Sequence, residues 1–525
     1  MFYIELFSLF LAFIIYGTNI LTYRVMKNRL IYFAFISIFL ISCADKKKSN
    51  VQQYVAAFLA EDDKAVGYGY FSLGQLIEKS DLLNFPVVGR IVSQEMGLFN
   101  ESIGTDVPLY YTVEGPLDRN GTPNRSYLFM QVKNQDSLKA MFAKMGYFFE
   151  EEKGISYSGD MNMGLGYRDD LAIIVSAGFD DDIKSMVYDA FERVKGKASN
   201  NKINDILAKE TDILFASHLE NLYGTSNTEL EQLPIQKQET IKKLAKHSHF
   251  VTTLDFNDGE IVFQTFSEVN DDLKEALFLN DNVEGNAAKK LGPGSPFIAY
   301  SMELDIPKME RLMSEFYPEA TKQMYKSMGS TGMILKAVGG EGLNKLINGK
   351  MGVAVTSVPK DIQFEGIPSF NMYAGIGKSG SAIVDLLMDL AESGEIEKVE
   401  KGYYKYDIAE IRITSEEISL RATASDDESS DEKNQALKFP KGAENFGKKP
   451  ISLFIDFKKL HDADINMDEE ARAILELFDY AYMEADNSCS SLTIKMKDMN
   501  KNVIQQVLER MRGEIEMMMS TGVSI

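Results

Sequence analysis

The sequence contains no tryptophan, only two cysteines and four histidines, and far fewer basic than acidic residues. So few cysteines and histidines leave little material for a zinc or haem site. A formal net charge of -22 argues against a nucleic-acid partner, because phosphate binding requires clustered lysine and arginine. We therefore expect no nucleic acid, no nucleotide and no cofactor.

Apolar residues, by contrast, are plentiful. They make up 45% of the 525 residues, and 11% of the chain is aromatic. This composition is too apolar for a disordered chain, and the length is sufficient for two to four domains. The sequence therefore predicts a folded protein with a large core.

A signal peptide is indicated over residues 26–42. Lys27 and Arg29 form a basic start, and residues 30–41 form an apolar run with a single serine. That run is shorter than the roughly 20 residues that span a bilayer, but it fits the hydrophobic region of a signal peptide. We therefore expect this segment to direct export.

The end of the run, Leu40-Ile-Ser-Cys43, resembles the lipobox of bacterial lipoproteins. In those proteins the cysteine thiol receives a diacylglyceryl group, the chain is cut before the cysteine, and the new amino terminus is acylated, with palmitate among the acyl chains. The resemblance implies that Cys43 is lipidated and that residues 43–64 tether the protein to the membrane. Several acyl chains anchor firmly, since each buried methylene contributes about 0.8 kcal/mol. Ala44 follows the cysteine, and in such lipoproteins a residue other than aspartate there favours the outer membrane.

A second hydrophobic stretch lies upstream, over residues 6–23. It could cross a membrane, but Met26 and the basic residues after it complete a signal peptide by themselves. We interpret residues 1–25 as a gene-start overcall or as an extra hydrophobic segment. In the mature chain Cys489 would be the only unlipidated cysteine, so we expect no intramolecular disulfide.

An internal duplication organises the remainder. Four segments share a short apolar or alternating run followed by a helix signal. They are residues 65–73, 212–219, 296–304 and 451–457. Similar intervals separate the first from the second and the third from the fourth, and a hairpin turn at 257–259 favours antiparallel pairing. We predict an α+β fold of two tandem related halves, 65–290 and 291–525, each with a mostly antiparallel sheet packed by helices.

Local patterns predict several further elements. Helices are expected over 136–145 and 381–392, from Asp182 onward, over 467–480, and over 503–518 with Asn502 as its cap. Residues 425–450 combine an acidic run with glycine and proline, which is typical of a mobile surface loop.

The glycine pattern Gly375-Ile-Gly-Lys-Ser-Gly380 matches GxGxxG, which can bind dinucleotide phosphates. Its counterpart in the first half, residues 132–136, has no glycine yet makes the same connection, so a plain loop is the preferred interpretation. The aspartates of 462–468 do not form a calcium loop, because glycine and glutamate are missing from the sixth and twelfth positions.

His247 and His249 could place two imidazoles on one face of a strand, with His218 as a third metal ligand. We prefer partly exposed strand histidines, and we predict no metal ligand and no catalytic residue. Cys489 is interpreted as a small buried residue at a strand start.

Three segments carry a family likeness, namely residues 58–82, 343–355 and 451–460. They resemble the opening and the later blocks of an uncharacterised family of large bacterial lipoproteins, the domain of unknown function DUF 4836. The resemblance implies the architecture and assigns no catalytic residue.

These observations predict a membrane-anchored lipoprotein of the cell envelope, a non-enzymatic binding or scaffolding module with an envelope protein partner. Two alternatives stay open: an envelope hydrolase with carboxylates that are distant in sequence, and a carrier of a small apolar ligand. A deep pocket with clustered carboxylates would favour the hydrolase, an apolar cavity the carrier, and a broad exposed surface the scaffold.

Overall fold

A computed structural model describes the chain between residues 50 and 512. The range excludes 61, 63, 86–88, 90–96, 98, 118–122, 179–180, 196–200, 225–233, 317–346, 358–368, 378–388, 390–392, 395, 401, 407–408, 423–434, 463–471 and 473–474. Cys43, the signal peptide and residues 1–25 lie outside the described residues.

Twenty strands form one sheet in the described residues, and every pairing between them is antiparallel. The first ten are β1 Ala65–Phe71, β2 Leu109–Leu117, β3 Pro123–Gln131, β4 Glu150–Glu152, β5 Ile155–Gly159, β6 Met163–Arg168, β7 Leu171–Ser176, β8 Ile213–His218, β9 His249–Asn257 and β10 Glu260–Glu268. The next ten are β11 Ile298–Glu303, β12 Ile347–Ser357, β13 Ser369–Ile376, β14 Glu397–Glu400, β15 Tyr403–Tyr406, β16 Ala409–Ile413, β17 Glu417–Ala422, β18 Ile451–Asp456, β19 Phe478–Ala485 and β20 Cys489–Met496.

The helices of the described residues pack on this sheet or cover its ends. They are α1 Val51–Ala60, α2 Leu73–Ser80, α3 Gln135–Lys144, α4 Ile183–Arg193, α5 Asn201–Leu207, α6 Leu219–Gly224, α7 Ile235–Ala245, α8 Asp271–Ala276, α9 Ala287–Lys290, α10 Ile306–Phe316, α11 Phe457–Asp462 and α12 Val503–Arg510. The fold is therefore α+β with an antiparallel sheet, as the sequence predicts.

The strand order runs 4-5-6-7-3-2-1-8-9-10 and continues 20-19-18-11-12-13-17-16-15-14. At the centre β10 pairs with β20, from Glu260 opposite Lys495 to Phe266 opposite Cys489. The order is symmetric about this join: read outward from it, each strand on one side has a counterpart on the other side whose number is higher by ten. A second half that repeats the first would produce these pairings, although the duplication itself stays a prediction.

Both faces of strand β3 are covered, so it lies between two cores. Its residues Tyr127, Leu128, Phe129 and Met130 are all buried and read as one apolar run. Because side chains alternate across a strand, Tyr127 and Phe129 enter a core with α1, α4 and α5, while Leu128 and Met130 enter a second core with α2 and α3.

Helix starts follow the capping residues of the sequence. Asp182 accepts a hydrogen bond from the Ser185 amide at the start of α4, and Asn502 accepts one from the Ile504 amide at the start of α12. The helices predicted at these two positions and the one predicted over 136–145 are confirmed. The helix predicted over 381–392 and most of the one over 467–480 fall outside the described residues.

Two local predictions are wrong. Residues 478–480 belong to strand β19 rather than to the end of a helix. Residues 425–434 of the predicted mobile loop, with its acidic run, lie outside the described residues, but the remainder, 435–450, contains Leu437, Ala443 and Phe446, which are buried in a core against β13, β18 and β19. Their apolar side chains are spaced irregularly among glycines and lysines, so neither strand nor helix periodicity reveals their burial.

Candidate binding site

Helix α12, the last helix of the described residues, lies against the first half of the sheet, beside the central join. The Asn502 side chain donates a hydrogen bond to the Phe256 carbonyl oxygen at 2.8 Å, and the Gly259 amide donates one to the Lys501 carbonyl oxygen at 3.0 Å. Helix α12 also packs on α2. Residues from both ends of the described chain therefore form one surface here.

Two adjacent clefts open at this contact. The larger has a volume of about 480 Å³ and lies between α2, the start of β8 and the end of β9. The smaller, of about 410 Å³, lies between α2, the turn after β9 and the start of α12. Six carboxylates and two lysines line the two clefts: Glu78, Asp81, Glu210, Asp212, Asp255, Asp258, Lys79 and Lys501. The excess of carboxylates gives both clefts a negative potential.

Asp212 forms a fixed wall of the larger cleft. It is fully buried, and its Oδ2 accepts hydrogen bonds from Lys79 Nζ at 2.6 Å and from the Phe256 amide at 2.7 Å. Its own amide donates to Asp255 Oδ1 at 3.0 Å. Oδ1 of Asp212 is buried and has no hydrogen-bond partner among the described residues. These bonds hold the cleft wall in place, and they leave one acceptor unsatisfied.

A separate buried cluster links the N-terminal helix to the sheet. Arg193, at the end of α4, contacts Asp62 Oδ2 at 2.8 Å and Glu114 Oε1 at 3.2 Å, and its guanidinium lies 3.7 Å from the centre of the Phe58 ring. Burial and the neighbouring charge of Asp62 raise the pKa of Glu114, and Arg193 opposes that shift.

The two carboxylates of this cluster support the chain entry into the sheet. Asp62 Oδ1 accepts the amides of Lys64 at 2.9 Å and Ala65 at 3.1 Å, where β1 begins. The Asp62 and Glu114 side chains are each 2% exposed. Because they are covered and held by Arg193, they fit a structural link better than a catalytic pair. Residues so far apart in sequence carry no local signal of this contact.

The histidines meet in a different way from the one expected. His218 and His249 are cross-strand partners in β8 and β9, with ring centres 4.6 Å apart. His249 Nδ1 lies 3.3 Å from the Tyr68 hydroxyl. Burial, together with the positive charges of His218 and Lys202, lowers the pKa of His249 to about 3.

His247 does not share the face of His249. It precedes β9 in a left-handed conformation with φ 52°, its side chain is 77% exposed, and its Nδ1 lies 3.2 Å from Glu220 Oε2. The predicted pair of imidazoles on one strand face is therefore wrong, because the backbone turns before the strand starts. Within the described part of the chain, no three histidine, cysteine, aspartate or glutamate side chains are grouped so that they could hold a metal ion.

The glycine pattern, the aspartates of 462–468 and Cys489 form no site in the described residues. Gly375 lies inside β13, and the end of its glycine pattern falls outside the described residues, as do nearly all of residues 462–468. Cys489 begins β20 as expected, is half-buried, and has a thiol whose pKa is raised by burial. No helix in the described ranges is both long enough and apolar enough to cross a bilayer.

Comparison with known proteins adds little. No protein-family model and no curated protein matches the chain. Among solved structures, crystal form III of TP0453 is 11% identical, with 40% of this chain and 80% of that chain covered, and crystal form I is 10% identical, with 44% and 84% covered. The TM-score is 0.25 in both cases, so the likeness supports no argument about fold or function. Membership of DUF 4836 stays a prediction.

Proposed function

We propose that the chain is a bacterial envelope lipoprotein that is anchored through Cys43, in the outer membrane, and acts as a non-enzymatic binding module. The lipobox supports the anchor, and the net charge of -22 makes basic residues an unsuitable means of membrane attachment. Only seven residues separate Cys43 from the start of helix α1, and Val51 and Phe58 of that helix are fully buried in the core. The folded body therefore follows the anchor closely.

One observation supports the binding role, namely the pair of carboxylate-lined clefts beside α12. They are open, polar and built by residues from both ends of the described chain, and their charge suits a partner that presents lysine or arginine side chains. A hydrolase would need a deep pocket, whereas the accessible carboxylates line open clefts together with Lys79 and Lys501. The other close carboxylates, Asp62 and Glu114, are covered. A carrier of apolar ligands would need an apolar cavity, whereas these clefts are lined by charged and amide groups.

The anchor is tested by expressing the full chain in a bacterial host with labelled palmitate. Wild type and Cys489→Ser should both carry label and sediment with membranes, and the mass of the N-terminal peptide should show an acylated Cys43. Cys43→Ser should carry no label. Unlabelled wild type, or a Cys43→Ser variant that is still labelled, would contradict the proposed anchor.

The binding role is tested with a photo-cross-linking residue at Gln75, an exposed position in the larger cleft. The matched control is Gln236, an exposed glutamine on α7. In intact membranes position 75 should give one discrete adduct that position 236 lacks, and Asp255→Asn should weaken it. The same adducts at both positions would reject the clefts as the binding surface.

A further inference from the structure

We propose that an apolar patch at one end of the first half rests on the lipid surface to which the chain is anchored, an inference that builds on the proposed lipidation of Cys43. The patch, called the tip patch below, consists of Met145, Phe148 and Met161, which are 61%, 76% and 74% exposed. Single exposed apolar side chains are ordinary, but neighbouring ones of this size mark an interaction surface.

The pairing of β4 with β5 brings these residues together. Glu150 lies opposite Tyr157, so the same register continued by two residues places Phe148 opposite Gly159. Met161 follows two residues later, in the turn between β5 and β6, and Met145 caps the end of α3 just before Phe148. Burial and the negative charge of Asp160 raise the pKa of Tyr147, which agrees with close contact between the two loops.

The surrounding structure holds the tip patch outward. The Phe149 ring packs 5.0 Å from the Tyr167 ring in the core beneath α3, whereas the preceding residue, Phe148, is 76% exposed. The turn that carries Met161 is closed by Asp160, whose Oδ1 accepts the amides of Asn162 at 2.9 Å and Met163 at 3.0 Å. These side chains are therefore presented to the exterior by ordered backbone.

The short tether holds the tip patch close enough to the membrane for the two to make contact. Six residues separate Cys43 from Asn50, where the described chain begins, and the seven Cα–Cα steps between the two residues reach at most about 24 Å. Helix α1 starts near the turn after β6, since Tyr54 bonds Asp170, whereas the tip patch lies at the other end of β6. A strand of six residues spans about 20 Å. The sheet can therefore lie along the bilayer, with Cys43 anchored and the tip patch in contact.

Charge decides the kind of contact. Glu150, Glu151 and Asp160 border the tip patch and are exposed, but Lys144 and Lys153 are exposed beside them and Lys184 Nζ lies 3.9 Å from Glu150. These opposite charges nearly balance and supply little attraction to a charged surface, so the contact must come from apolar burial. We therefore expect it on zwitterionic lipid and expect it to be insensitive to salt.

The absence of tryptophan allows a direct test. Phe148→Trp introduces the only tryptophan into the full lipidated chain, which is reconstituted into phosphatidylcholine vesicles with or without bromine on the acyl chains. Bromine should reduce its emission at least about twofold, with and without high salt, because the indole enters the acyl region. The control is Ile235→Trp, at a position that is 74% exposed on α7 and should not be quenched.

Equal emission of Phe148→Trp in both kinds of vesicle, or equal quenching at position 235, would overturn the proposal. A blue-shifted emission that is independent of bromine would overturn it too, since another protein surface would then cover the patch. The mass of the N-terminal peptide from the same sample separates this failure from that of the anchor. A lipidated chain without quenching rejects only the tip patch, whereas an unlipidated chain rejects the proposed anchor.

Discussion

Arg193 is the residue on which the link between α1 and the sheet depends. It contacts both Asp62 and Glu114, two carboxylates that are almost completely removed from solvent, and it stacks on Phe58. An ion pair buried in this way need not add net stability, because desolvation offsets much of the attraction. Removing one partner is different, since the remaining charge is then buried without compensation.

We therefore expect Arg193→Met to lower the free energy of unfolding by about 3–5 kcal/mol, measured by urea denaturation at neutral pH. The matched control is Lys195→Met, which breaks the exposed pair with Glu192 near the same helix end and should cost less than about 1 kcal/mol. Equal effects of the two substitutions would show that the cluster is unimportant to the stability of the fold.

The buried imidazole of His249 should make stability depend on pH. Its pKa of about 3 lies below the ordinary value of 6.5, so the unfolded chain binds a proton before the folded one does. Stability from this group is complete above pH 6.5 and is lost as the pH falls toward 3, by up to about 1.4 kcal/mol per pH unit. Urea denaturation at a series of pH values should show a smaller acid loss for His249→Gln. Tyr68→Phe removes the neighbouring hydroxyl but keeps the imidazole buried, so it should retain the wild-type slope.

At the scale of elements, the sequence predicts what depends on local pattern. β1, β8, β11 and β18 follow from short apolar runs, and α12 follows from its cap and its periodicity. The cluster around Arg193 and the clefts beside α12 could not be predicted, because they join residues that only the sheet brings together. The burial of Leu437, Ala443 and Phe446 was missed for a related reason, because their spacing has no regular period.

Asn502 serves two elements at once, and its substitution should separate the two roles. Its Oδ1 caps α12 through the Ile504 amide at 3.0 Å, and its Nδ2 bonds the Phe256 carbonyl oxygen of β9 at 2.8 Å. Asn502→Ala should cost about 2 kcal/mol in urea denaturation, and Asn502→Ser, which keeps a capping oxygen but loses the amide donor, about half of that. Asn500→Ala, at an exposed position, should be nearly neutral. If the alanine and serine variants lose equal stability, the cap contributes nothing.

At the scale of the whole molecule, the pairing of β10 with β20 turns two sets of ten strands into one sheet. The outermost strands, β4 and β14, are short and carry exposed glutamates, which discourage pairing with a second molecule. Strands β10 and β20 at the centre lack exposed glutamates of this kind and do not need them, because each strand pairs with the edge of the other. The halves should therefore hold together through this join even when the chain between them is cut.

A protease site inserted between Asn282 and Val283 tests this expectation. After cleavage the two fragments should still elute together from a gel-filtration column in buffer and should separate only in urea, because seven residue pairs and the contacts of α12 remain. Lys495→Glu places a carboxylate opposite Glu260, which Lys495 pairs in the wild type, so the fragments should separate at a lower urea concentration. Adding Glu260→Lys restores opposite charges at the same two positions and should recover most of the loss. Fragments that separate in buffer without urea would show that the covalent connection, rather than the sheet, holds the halves together.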